Sequence, residues 1–235
     1  DKGADTFREL VGGYRGVIVC DAAKTHECGA RDSQHIHLAG CWAHAYRKFE
    51  EAAADHPEAE HALRWISKLY EIDDRAGEDL ERRAALRQAE SSEVLREFKA
   101  WLWNQAVLKT LSIGRAAGYV IANWDRLSRF LSDPRIPLDN NATERGIRGP
   151  VVGRRNHFGS KSERGTQVAA TFYTLIETAK LHGVNPTEYL RDVLLRISTC
   201  SDVTKLTPHG WAKHFRAEVN ARRRQALERI TIALP

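Results

Sequence analysis

The chain has 235 residues, of which 42% are hydrophobic and 29% charged, and its formal net charge is +5. This is ordinary globular usage in a chain long enough to bury a core without disulfides or metals. No apolar run approaches the roughly 18 residues of a membrane span, and four cysteines in this length do not make a disulfide framework. The expectation is therefore no membrane and a reducing cytoplasm. Methionine is absent and the chain opens Asp1-Lys2-Gly3, which reads as the C-terminal part of a longer product.

Residues 5–14 read as a helix closed by Gly12-Gly13. Gly16-Val17-Ile18-Val19-Cys20 is a short apolar run that predicts a buried strand ending at Asp21. His35 to Ala39 alternates polar and apolar, a second short strand. Helical spacing follows. Trp42, Tyr46, Phe49 and Ala53 share one face, and further stripes run through Leu63, Ile66 and Tyr70, through Leu95, Phe98 and Leu102, and through Val120, Trp124, Leu127 and Leu131. Ser91-Ser92 are cap candidates for the Leu95 helix. Residues 43–131 thus predict four to five helices, broken by Asp133-Pro134 and Pro137. After a loop, Val168, Phe172, Leu175, Ile176 and Ala179 mark a helix that stops at Gly183. Asn185-Pro186-Thr187-Glu188 starts another, with Asn as cap and Pro at the first helical position. The tail from Glu218 to Ile230 reads as a basic helix or as disordered chain.

Charge is uneven. Residues 47–103 hold 10 basic and 14 acidic side chains, whereas 144–165 and 211–235 each hold 6 basic and 2 acidic. A polyanion near the basic segments and a plain solvated surface both fit this pattern.

Four groups of residues could carry chemistry. Asp21, at a strand end, offers hard oxygen ligands where α/β folds place their ligands; alternatively it only starts a turn. Glu144 has two compatible readings: partner of Asn141 in a capping box, or a metal ligand on the first turn of a helix. His26, Cys28, Cys41 and His44 form H-x-C and C-x-x-H pairs that resemble a zinc set, although a cysteine on an apolar helix face is usually small core. Arg145, Arg148, Arg154, Arg155, Asn156, Lys161 and Arg164 are interleaved with glycines in a basic loop that could approach nucleic-acid phosphates.

Several stretches resemble a known family. They are Gly40-Cys41-Trp42-Ala43-His44-Ala45-Tyr46-Arg47-Lys48-Phe49, Leu138-Asp139-Asn140-Asn141-Ala142-Thr143-Glu144-Arg145-Gly146-Ile147-Arg148, Gly153-Arg154-Arg155-Asn156-His157-Phe158-Gly159-Ser160, and Ile176 to Pro186 continuing into Tyr189-Leu190. In this order, from about Tyr14 to Ile197, the chain resembles the C-terminal portion of a transposase of the bacterial insertion sequence 66 family.

The resemblance implies an α/β protein, mainly α by residue count, in which a partial RNase H-like catalytic core is interrupted by an all-helical insertion. The expected division is 1–46 for the first part of the core, 47–135 for the insertion, 136–199 for the rest of the core and 200–235 for a basic tail. It also implies DNA strand cleavage and transfer with Mg²⁺, or Mn²⁺ in its place, held by Asp, Asp and Glu. Asp21 matches the second Asp and Glu144 the Glu, although Asp21-Ala22-Ala23 stands where the family usually has Asp-Gly-Tyr. Nothing before Asp21 fits the first Asp, which is expected upstream. The Cys41–His44 element would shape the core, and no zinc is expected. The implied partners are transposon-end and target DNA, with a homo-oligomer in the full-length protein. Without the first Asp, the competing reading is a DNA-binding or oligomerisation remnant that does no chemistry.

Overall fold

The structure is a computed structural model. It describes residues 2–22, 30, 35–156 and 162–232, with side chains omitted at 2, 155–156 and 229–232. The chain divides into two compact units, 1–143 and 144–235. The described residues are mainly helical, with one two-stranded sheet.

In the first unit, α1 (Lys2–Val11) precedes β1 (Gly16–Cys20), and β2 (Ile36–Gly40) pairs with β1 in parallel. The β-branched run of β1 suits a pleated, half-buried surface. Register pairs Gly16 with Ile36 and Cys20 with Gly40, so both strands end level. Cys20, Ala30, Ile36 and Leu38 pack with Phe7, Val11 and Ile18 in a small cluster.

The helical block follows: α2 (Trp42–Ala53), α3 (Ala59–Ala76), α4 (Leu80–Leu86), α5 (Ser92–Ala106), α6 (Ser112–Ala122) and the single turn α7 (Trp124–Leu127). The expected stripes face one core. Trp42, Phe49, Ile66, Leu69, Phe98, Leu102, Ile113 and Val120 are fully buried. Ala45, Ala52, Ala59 and Ala62 keep the α2–α3 side of that core small. The Trp65 and Phe98 rings stack at 5.4 Å. This core is continuous with the sheet: Trp42 Nε1 donates to Leu127 O at 2.9 Å, and Arg129 Nε donates to Leu38 O at 3.0 Å.

Ser91-Ser92 does not cap the Leu95 helix. A π turn, Arg87–Ser91, carries α4 into α5 without a break. Ser91 is buried, and Ser92 Oγ donates back to Gln88 O at 2.5 Å, the bond a serine makes within a helix rather than at its start. The turn places Arg87, 1% exposed, inside the unit. Its guanidinium grips Asp73 with Nε at 2.7 Å and Nη2 at 2.5 Å, while Nη1 donates to Phe130 O at 2.8 Å and Ile136 O at 3.0 Å.

Gly114 is required by close packing. A Cβ there would lie 1.9 Å from the Leu108 carbonyl oxygen, which is backbone and has little room to yield. Gly114→Ala is expected to cost about 1–3 kcal/mol, since overpacking forces the surrounding backbone to shift. A urea titration checks this, and an unchanged midpoint would contradict the close approach.

In the second unit, α8 (Asn141–Asn156, counting its first turn with the first unit) and α9 (Glu163–Leu181) lead into α10 (Pro186–Arg196), α11 (Pro208–His214) and α12 (Arg216–Ile232). Residues 145–156 are helical and not the expected loop. Glycine and Pro150 lower helix propensity without forbidding a helix, and Glu144 near the start and Arg154 near the end suit the helix dipole. The stop at Gly183 is a Schellman turn: Gly183 has φ 60°, its N–H reaches Lys180 O at 2.9 Å, and Val184 N–H reaches Ala179 O at 2.9 Å. Asn185 then caps α10 as expected, accepting from Thr187 N at 2.9 Å and Glu188 N at 3.2 Å. Ala179, Val184, Tyr189 and Trp211 form the unit's core. Trp211 Nε1 donates to the buried Asp192 at 2.8 Å, which also accepts from Arg196 Nε at 2.6 Å. Of the two readings of the tail, the helix is observed.

Candidate metal and phosphate site

The level ends of β1 and β2 set the geometry of the first unit's upper edge. Asp21 follows β1 and is half-buried, and Cys41 follows β2 and is 1% exposed. Burial pushes the Cys41 thiol up; backbone N–H groups of Asn140, His44 and Ala43 oppose this, and Asp139 nearby adds to it. Cys41 is therefore a buried core thiol at the start of α2. His44 lies one turn further on. His26 and Cys28, the other half of the zinc-like set, lie outside the described residues. Among the described residues, no three His, Cys, Asp or Glu side chains are grouped to hold a metal ion.

The stretch that leads to Glu144 is clamped beside these strand ends. Trp42 N donates to Leu138 O at 2.9 Å. The Asp139 carboxylate accepts from Tyr70 Oη at 2.9 Å, from Asn141 N at 3.0 Å and from Asn141 Nδ2 at 2.8 Å. Burial and this carboxylate push the Tyr70 hydroxyl far above its ordinary range. Asp139 ahead of the helix thus takes the role expected of Asn141, which is itself the first residue of α8. The expected Asn141 cap is corrected in this way: the Asp139 carboxylate reaches the Asn141 N–H two residues on, so the turn closes earlier.

A shallow depression of about 500 Å³ in the first unit is lined by Tyr46, Arg47, Tyr70, Glu71, Asp74 and Asp139. Its carboxylates outnumber its one cation, so it repels phosphate and is not a DNA groove.

Tyr119, on α6, lies near Asp21. Its hydroxyl takes the Ala22 N–H, and burial, with Cys41 and Asp21 close by, pushes it up. Lys48, on the second turn of α2, lays its ammonium 4.6 Å from the centroid of the Tyr119 ring. The only sequence signal for Lys48 is its place in the Gly40–Phe49 stretch, and Tyr119 has none.

Glu144 sits in the first turn of α8 and is half-buried, at the start of the second unit. Arg145, Arg148 and Arg154 on α8 are exposed, as is Arg164 in the first turn of α9. α8 also exposes Ile147, Val151 and Val152. The side chains of Arg155 and Asn156, and all of Lys161, lie outside the described residues.

Residues 1–168 match the model of the Transposase IS66 family, and residues 174–209 match the IS66 C-terminal element. Three Sinorhizobium fredii proteins are similar to the chain. The uncharacterized protein y4qI is 32% identical over 88% of this chain and 41% of its own length. The uncharacterized protein y4hP is 30% identical over 93% and 44%, and the uncharacterized protein y4jD 31% identical over 84% and 42%. The chain thus spans about two-fifths of the length of these relatives. No solved structure matches it. Family models cover both units in chain order, through the strand-end acid, the C-x-x-H turn and the Glu144 helix, and the chain belongs to the transposase IS66 family.

Proposed function

We propose that this chain is part of a DDE-type DNA transposase that cleaves and joins DNA strands with a divalent metal ion. The observation that carries the reading is Asp21 at the level ends of two parallel strands, within a chain that matches this family over both units. In this reading residues 1–46 and 136–199 belong to an RNase H-like core, 47–135 are inserted into it, and 200–235 extend it.

Asp21 and Glu144 are the proposed metal ligands. Both offer carboxylate oxygen, the donor that hard Mg²⁺ or Mn²⁺ prefers. Asp139 is a weaker candidate because its oxygens already accept three hydrogen bonds. Cys41 is a buried core thiol and is not proposed as a ligand. A bound divalent ion would supply Lewis-acid activation of water or of a DNA 3′-OH and would neutralise the leaving oxygen. No residue of this chain is assigned the role of a third carboxylate. Arg145, Arg148, Arg154, Arg155, Asn156, Lys161 and Arg164 are the proposed contacts to DNA phosphates, with Arg145 and Arg148 closest in sequence to the metal-binding Glu. The Cys41–His44 turn shapes the strand ends. The partners are transposon-end and target DNA, with a second copy in the full-length assembly. No helix among the described residues is long and apolar enough to cross a membrane.

The test is nicking of a supercoiled plasmid carrying the element's ends by the full-length protein. Nicking is expected with Mg²⁺ or Mn²⁺ and none with a chelator. Gel shifts are expected to show binding with a steep salt dependence under both conditions. Binding without nicking in either metal would favour the remnant that does no chemistry.

A further inference from the structure

Tyr119 stands near Asp21, Lys48 lies over its ring, and neither has been given a role. Lys48 is exposed on the second turn of α2, and among the described residues it forms no ion pair with a carboxylate. Its ammonium lies instead over the face of Tyr119, 4.6 Å from the ring centroid. The negative face of such a ring attracts the ammonium and biases the direction of the flexible lysine stem. The ring is itself fixed. Tyr119 is half-buried against the helical core, and its hydroxyl takes the N–H of Ala22, the peptide next to Asp21. A cation with no ion pair among the described residues is therefore held over a ring whose hydroxyl takes the Ala22 N–H. A site that binds a phosphate through a metal gathers charge that such a cation can neutralise.

We propose that Lys48, steered by the ring of Tyr119, contacts a DNA phosphate beside the scissile one when the strand is bound at Asp21. This rests on the reading of Asp21 and Glu144 as metal ligands. Lys48 would touch the substrate. Tyr119 would act through Lys48 and through the Ala22 peptide, as a positioning residue.

The experiment uses the full-length protein and duplexes of the element's own end sequence. Each duplex carries one neutral methylphosphonate at a different position around the cut. Lys48→Gln is expected to slow Mg²⁺-dependent cleavage about 10- to 100-fold. It should also lower the slope of log affinity against log salt by about one. On one duplex alone, the neutral position should cost the wild type about as much as Lys48→Gln costs it, and should cost Lys48→Gln nothing more. Lys48→Arg should recover most of the rate. Tyr119→Leu should reproduce part of the Lys48→Gln loss, on the same duplex. If Lys48→Gln cleaves like wild type, or if every methylphosphonate harms it as much as wild type, the inference falls. Glu144→Gln in parallel separates the two claims. If that variant cleaves normally, the metal-ligand reading fails first. If it is inactive while Lys48→Gln is normal, only the phosphate contact is lost.

Discussion

Glu144→Gln and Asp21→Asn, each made in the full-length protein, are expected to abolish DNA cleavage while leaving DNA binding close to wild type. The reason is chemical. An amide keeps the size of the side chain but removes the charge that a hard cation needs from its ligand. Losing metal-borne stabilisation of the transition state is worth several kcal/mol, and that corresponds to about 10³-fold or more in rate. Glutamine at 144 still fits a helix first turn, so α8 should persist. The measurements are strand cleavage in Mg²⁺ and in Mn²⁺, with a gel shift at matched salt. Cleavage near the wild-type rate would remove that residue from the site. Loss of binding in the same variant would show that it acts on DNA docking instead.

Arg87→Ala is expected to lower the stability of the chain by about 3–5 kcal/mol, the usual cost of removing one partner of a buried ion pair. Arg87 is 1% exposed and its fork is filled: both Asp73 oxygens and the carbonyls of Phe130 and Ile136 accept from it. Its guanidinium also lies 5.0 Å from the centroid of the Phe130 ring. Alanine would leave a carboxylate and two carbonyls without donors, plus a cavity. Lysine would carry the charge but could not bridge Asp73 in two places while reaching the carbonyls. Urea unfolding of the single variant and of Arg87→Met with Asp73→Leu checks this. The pair should lose less than the single change, because it leaves no orphaned charge. An alanine variant within about 0.5 kcal/mol of wild type, the range of an ordinary surface change, would show that the network contributes little.

What was legible in the sequence is what depends on neighbours in the chain. Asn185-Pro186 announced its helix because a cap and a preset φ are local. The stripe through Trp42 and Phe49 announced a buried face because period alone defines it. The β1 run showed itself by β-branching. Ser91-Ser92 misled because serine favours both a helix start and, facing inward, a hydroxyl bond back to the preceding turn, and only tertiary burial chose between them. The stretch from Gly146 to Gly153 read as loop because propensity is a weak prior that context overrides. Arg87 looked like one more surface cation, since its partners lie 14 to 49 residues away. The proposed acids and arginines were legible as candidates. The contacts of Tyr70, Tyr119 and Lys48 were not, because each partner lies on another element.

The bond from Trp42 Nε1 to Leu127 O and the one from Trp42 N to Leu138 O close a circuit. One residue at the mouth of β2 receives the chain both at the last turn of the helical block and where it returns toward Glu144. The helical block is then no cargo hung on the strands. Cutting it out would strand the indole N–H of Trp42 and open the packing beneath Asp21. The block and the strand ends should melt as one cooperative transition, so a solvent change that loosens α3 or α5 also loosens the acid. Whatever selects for sequence in this stretch selects in effect for the placement of the strand ends and of Asp21.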